Sequence, residues 1–283
     1  VGETTGISWA HHTFNPWRGC SHALFPAGTE SAGKPHLGCL NCYAEFLVTQ
    51  KFQMGGVKGE WGPGAPRTVA AESGWALPAR WARAAAEAGE RRRCFFSLGD
   101  PLDEEAPKEA QERLWQLIRE TADLRHGTDP DLPVGGLDWL LLTKRPWRWE
   151  LIPEDVRPLV WLGTSVSDQP TADAWLDELM KARGFRFLFC SYEPALGPLF
   201  LRATWTRGVL GGARVPGLDW LIWGGESGGN RRPGEVAWGQ AVADQCAQTG
   251  IAFYAKQDTA YRAGQQGRIP DALWARKEVP RAA

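Results

Sequence analysis

Seven short apolar runs are spread along almost the whole chain. Each ends in a polar or glycine-containing turn, and together they constrain the fold more than any other feature. The runs are GISW (Gly6–Trp9), CFFSLGDP (Cys94–Pro101), DWLLLTKRP (Asp138–Pro146) and LVWLGTSVSD (Leu159–Asp168), then FRFLFCSYEP (Phe185–Pro194), LDWLIWGGESGG (Leu218–Gly229) and IAFYAKQD (Ile251–Asp258). Most stay apolar for four to six residues without clean alternation. Strands buried on both faces read this way, as in a parallel sheet covered by helices.

Stretches with helical spacing lie between the runs. Tyr43–Met54, Leu77–Ala88, Lys108–Leu124, Thr171–Arg183 and Glu235–Thr249 are the candidates, with Thr171 as an expected N-cap. In the clearest, Leu114, Leu117, Ile118 and Leu124 share one face. Strand–helix alternation of this kind means an α/β fold with right-handed crossovers. The expected architecture is a partial or complete (β/α) TIM-like barrel of mostly parallel strands, with a doubly wound sheet as the alternative. The stretches Gly62–Gly74, Gly127–Gly136 and Arg202–Gly217 read as surface loops, and none is long enough to divide the chain. Residues 1–283 are therefore expected to form one domain.

In either architecture ligands bind at the carboxyl ends of the strands. Those ends carry Ser97-Leu98-Gly99-Asp100, Thr143-Lys144-Arg145, Thr164-Ser165-Val166-Ser167-Asp168 and Ser191-Tyr192-Glu193. Gly224-Gly225-Glu226-Ser227 and Lys256-Gln257-Asp258 continue the series. After the first run come three cysteines, Cys20 and the C-x2-C pair Cys39 and Cys42, with Ser21 to Gly38 as an inserted loop between them.

The net charge of −1 does not by itself predict a polyanionic partner. No apolar run is long enough to span a membrane, and the first residues lack a secretory pattern. The expected location is the cytoplasm, where thiols stay reduced and clustered cysteines favour metal or catalysis over disulfides. Three thiolates are one too few for a closed site. They suit an Fe–S cluster with one open iron, or zinc with His11, His12, His22 or His36 as fourth ligand; unrelated free thiols are the remaining reading. Cys94 and Cys246 read as core residues. Cys190 reads either as a buried thiol or as a hydrogen donor reaching the ligand site.

The motifs ISWAHHTFNPWRGC, GCLNCYAE, LLLTKRP, LGTSVSD, SYEPALGPL, WLIWGGESGGNRRP and FYAKQ span positions 7 to 257. By them the chain resembles a phage-associated family of uncharacterised proteins with a three-cysteine motif. That family in turn resembles the radical S-adenosylmethionine superfamily. The resemblance implies that Cys20, Cys39 and Cys42 hold three irons of a [4Fe–4S] cluster, with the fourth iron chelating S-adenosylmethionine. Reduction would then give methionine and a 5′-deoxyadenosyl radical.

The same resemblance implies that SLGDP, with Ser97, Gly99 and Asp100, contacts the methionine amine. It also implies that Ser165 and Ser167 contact the ribose or carboxylate, while Tyr43, Gly224 and Gly225 frame the adenine. Lys144, Glu193, Glu226 and Cys190, with Arg231, Arg232, Lys256 and Gln257 nearby, would face the substrate. The phage setting points to a nucleobase or nucleotide, in DNA or RNA, and to a reducing partner protein in the host cytoplasm. The superfamily spacing has three residues between the first two cysteines, where this chain has the loop 21–38. Two other readings of the residues stay open. One is a zinc-stabilised nucleic-acid-binding or partner-binding protein. The other is a hydrolase built on Glu193, Glu226 and Asp100.

Overall fold

The computed structural model describes residues 5–51, 61–124, 135–206, 208–210, 213–215 and 217–280. Seven strands form its main sheet: β1 (His12–Thr13), β2 (Arg91–Phe95), β3 (Gly136–Thr143), β4 (Val160–Val166), β5 (Phe187–Tyr192), β6 (Trp220–Gly224) and β7 (Ala252–Gln257). They lie side by side in sequence order, and every neighbouring pair is parallel. The sheet curls into a half-barrel with β1 and β7 as its edges, so the complete barrel is not formed among the described residues. The order never reverses, which removes the doubly wound alternative, because that fold has a switch point.

The unbroken apolar runs are explained by two cores on opposite faces of the sheet. Cys94, Trp139, Leu141, Leu162, Leu188, Cys190, Leu221, Trp223 and Phe253 belong to the larger one, which the helices cover. Residues of the other parity, Phe95, Leu140, Trp161, Phe187, Phe189, Trp220, Ile222 and Tyr254, fill the concave face. Gly163 is a glycine for this reason: a Cβ there would lie 2.5 Å from the Phe189 ring.

The first expected strand is displaced. Gly6–Trp9 is a turn, closed by Ala10 N–H donating to the Ile7 carbonyl at 3.0 Å, and the strand is His12–Thr13. Trp9 instead plugs the concave floor, with its ring 4.5 Å from Phe95 and edge-on to Trp220 at 5.9 Å. An aromatic residue that packs this well ends an apolar run whether or not the backbone is extended.

The long helices are α1 (Leu77–Glu87), α2 (Lys108–Thr121), α3 (Gln169–Leu179) and α4 (Val236–Thr249). The expected helix to Leu124 stops at Thr121; Leu124 pairs with Gly135 instead. Thr171 is not the N-cap of α3. Asp168 is, with Thr171 as its reciprocal capping-box partner three residues on. The helix expected over Tyr43–Met54 is helical at Tyr43–Phe46 and widens to a π-turn at Leu47–Lys51; its end at 52–54 and the loop at 127–134 lie outside the described residues. Among the described residues no helix is long and apolar enough to cross a membrane.

Candidate functional site

A single parity carries each strand from the apolar floor to a polar rim. Phe95 leads to Ser97, Leu140 to Leu142 and Lys144, and Trp161 to Ser165. Phe189 leads to Ser191 and Glu193, Ile222 to Glu226, and Tyr254 to Lys256. All seven polar rim positions line one cavity at the carboxyl ends of the strands, with a volume of about 230 Å³. That is somewhat below the ~300–1,000 Å³ common for ligand pockets.

The three cysteines line the same cavity. Cys20 follows Gly19, whose N–H donates to the Leu98 carbonyl at 3.0 Å in a parallel bridge to Gly99. Gly99 permits this approach, since a Cβ there would lie 2.9 Å from the Phe96 ring and 3.1 Å from the Gly19 oxygen. The inserted loop then folds back on itself. Phe25 N–H donates to Lys34 O at 2.8 Å, Gly33 N–H to Phe25 O at 3.0 Å, and His36 N–H to Ala23 O at 2.9 Å. Phe25 and His36 both pack edge-on against Trp175 of α3. The excursion thus closes where it began, and brings Cys39, on the turn Leu37–Leu40, to the same wall as Cys20.

His36 is fully occupied. Its Nε2–H donates to the Ser165 carbonyl at 3.0 Å and its Nδ1 accepts from Gly38 N–H at 2.9 Å, which fixes the neutral tautomer. Burial, then nearby Lys144, holds its pKa well below the usual histidine value. His36 is therefore a strut and not the fourth ligand of a zinc site. His22 Nε2 is engaged by Glu45 at 3.0 Å, His11 Nδ1 accepts from Arg93 N–H at 2.7 Å, and His12 stacks on Trp81. Among the described residues no three His, Cys, Asp or Glu side chains are placed to share a single metal ion.

Two cationic latches hold the cysteine segment. Arg145, 2 % exposed, donates to Asp100 Oδ2 at 3.0 Å, Ser21 Oγ at 2.7 Å and the His22 carbonyl at 2.6 Å, and it also pairs with Glu104. Its Nη1 lies 3.7 Å from Cys20 Sγ. Burial and Asp100 outweigh that cation and push the Cys20 thiol up to about 12. At the other end, Arg232 grips Glu226 through three donors, and its Nη2 also donates to the Leu37 carbonyl at 3.0 Å. Asn41, between Cys39 and Cys42, donates to the same Glu226 at 3.3 Å.

These contacts change several expected roles. Asp100 accepts from Thr143 Oγ1, Leu102 N–H, Lys144 N–H and Arg145 at 2.6 to 3.0 Å. That fills its lone-pair sites, so it braces the wall and is not a free acceptor for an amine. Arg232 is engaged by Glu226, and Arg231 donates to the Gly228 carbonyl. Glu226 lines the cavity but is engaged there by Arg232 and Asn41. Ser167 sits in the capping turn of α3, fully buried and off the cavity wall. Cys190 faces the helices with Cys246. It is absent from the cavity lining, and burial, then Cys246, pushes its thiol well above the usual value. Cys94 and Cys246 lie in the same core.

The remaining expected residues line the cavity, except Gly224, which lies behind Glu193. Tyr43 Oη donates to the Ser97 carbonyl at 3.0 Å, and Ser165 lines the wall. Gly224 underlies Glu193, where a Cβ would lie 2.7 Å from Oε1, and Gly225 lets Thr259 pass close by. Opposite the cysteines, Glu193 pairs with Lys256 Nζ at 2.7 Å and accepts from Ser191 Oγ at 3.1 Å. Lys144 faces the cysteines; burial lowers its pKa, but Cys39, Cys42, Asp100 and Cys20 raise it further, so it stays an ammonium. Asn41 and Asp103 were not expected, and Ser191 was expected only as one of the strand-end residues. Parity from Phe189 marks Ser191. No local signal marks Asp103, whose partners Ser21, Arg67 and Arg145 are remote in sequence.

No curated protein and no solved structure matches this chain. The family model described as protein of unknown function, DUF5131, matches residues 4–277, and on that span the chain belongs to this family.

Proposed function

We propose that the protein is a radical S-adenosylmethionine enzyme acting on a nucleobase or nucleotide, with electrons from a reducing partner protein. The carrying observation is the convergence of Cys20, Cys39 and Cys42, and no fourth cysteine, on one wall of the cavity at the mouth of a parallel half-barrel. The donor set fits a [4Fe–4S] cluster: three soft thiolates, an open cavity beside them, and a cation unpaired among the described residues, Lys144, to balance their charge. When bound, the cluster and S-adenosylmethionine supply one-electron cleavage of the sulfonium and hydrogen abstraction from the substrate.

The chain's own groups do the rest. Cys20, Cys39 and Cys42 hold the cluster, and the Arg145 and Arg232 latches keep their segment in register. Ser165, Tyr43 and the Gly99 backbone border the cofactor's space, while Trp9, Phe95 and Phe96 exclude water from the floor. Glu193 and Lys256 present an acceptor and a donor side by side, which suits a heterocyclic edge better than a phosphate. The zinc reading loses His36 to its own hydrogen bonds.

Anaerobic reconstitution tests the proposal. The expected result is a brown protein with about four irons per chain that cleaves S-adenosylmethionine once reduced. Cys39→Ala should lose iron and cleavage together. Bound zinc without cleavage, or cleavage unaffected by Cys39→Ala, would refute it.

A further inference from the structure

Among the described residues, every Asp, Glu, Lys and Arg side chain lining the cavity but one has a partner of opposite sign. Glu193 pairs with Lys256, Glu226 with Arg232, and Asp100 with Arg145. Lys144 is different. Its ammonium makes no ion pair and no hydrogen bond among the described residues, although the residue is half-buried in the wall that carries Cys20, Cys39 and Cys42.

The fold aims this side chain deliberately. The Lys144 N–H is held by Asp100 Oδ2 at 2.9 Å, and its carbonyl accepts from Trp175 Nε1 at 2.7 Å, so the backbone is pinned on both sides. Strand parity from Leu140 and Leu142 turns the residue inward. Gly38, just before Cys39, leaves room for the stem: a Cβ at 38 would lie 3.5 Å from Lys144 Cε. An unpaired ammonium in a half-buried cavity is costly unless an anion arrives there.

We propose that Lys144 is a positioning residue whose ammonium is the fixed counter-charge of the cluster held by Cys20, Cys39 and Cys42, and that it raises the cluster's reduction potential. This rests on the cluster reading above. A [4Fe–4S] core with three thiolates carries about −1 when oxidised and about −2 after gaining one electron. A fixed positive charge at short range therefore favours the reduced form more. The electron comes from an added low-potential reductant, and Lys144 remains protonated in both states. The cation is not a substrate group.

The test is an EPR-monitored redox titration of anaerobically reconstituted wild type, Lys144→Met and Lys144→Arg. At the wild-type midpoint, the reduced-to-oxidised ratio in Lys144→Met should fall about tenfold, a shift of about 59 mV for one electron. Lys144→Arg should recover most of it. A loaded Lys144→Met with the wild-type ratio overturns this inference alone. If Lys144→Met takes up no iron, Lys144→Arg must still load; loss of iron from both overturns it as well. A wild type that takes up no iron and sulfide overturns the cluster reading, and this inference with it.

Discussion

Replacing Arg145 with Met tests whether the cysteine segment is held by buried charge. Met keeps much of the stem volume and removes every donor. The guanidinium is almost wholly enclosed and serves Asp100, Asp103, Glu104, Ser21 and the His22 carbonyl. Removing one partner of a buried pair costs about 3–5 kcal/mol, because the other charge is left uncompensated. The loss here should sit near the lower end, about 3 kcal/mol. Asp100 keeps Thr143 Oγ1 and two backbone N–H donors, and Asp103 keeps Arg67 at 2.9 Å. The assay is urea unfolding with linear extrapolation. The double variant with Asp100→Asn should cost less than the sum of the singles by about 0.5–3 kcal/mol, since the stranded charge is gone. A loss for Arg145→Met below about 1 kcal/mol, the size of an exposed pair, would refute the reasoning.

Acid should loosen the other latch. Burial alone would raise Glu226, yet the Arg232 hydrogen bonds hold it below the usual range. A depressed carboxylate contributes stability above its unfolded pKa and loses it as pH falls through the folded one. Wild type should therefore lose this contribution below about pH 4, and in Glu226→Gln that part of the acid dependence of the urea midpoint should be missing. Gly239→Ala puts a methyl into the Trp223 ring across buried α4 and should cost about 1–3 kcal/mol by the same titration. Asp168→Ala removes the capping box of α3, for a loss of about 1 kcal/mol read from the thermal midpoint.

Four of the seven strands lie within apolar runs legible in the sequence, because burial on both faces leaves few polar residues to confuse the pattern, while β2 and β3 overlap their runs but begin earlier, at Arg91 and Gly136. The seventh failed for the opposite reason. Gly6–Trp9 is apolar because Trp9 fills the floor between Phe95 and Trp220, and no strand is needed for that. The same distinction governs the site. Residues at strand ends were legible as a group, since the fold class alone sends them to one face. Which of them faces the ligand depends on parity, and parity depends on register. Cys190 and Ser191 are adjacent, yet one meets α4 and the other the cavity.

Pairing across long sequence distance is the part that no local pattern carries. Asp100 and Glu226 are as acidic as Glu193, and stand at equivalent strand ends. What separates them is that an arginine already holds each, Arg145 in one case and Arg232 in the other. The same logic makes Lys144 informative, for its neighbours on the sheet had every opportunity to supply a carboxylate and do not. The inserted loop follows from it too. An excursion from Ser21 to Gly38 costs little more closure entropy than a short one, provided that its ends are fastened. Arg145 fastens the first end through Ser21 and His22, and Arg232 fastens the second through Leu37. If that is why the length is tolerated, shortening the loop between Pro26 and Ala32 should leave iron binding intact. Arg232→Ala, which touches no cysteine, should reduce it.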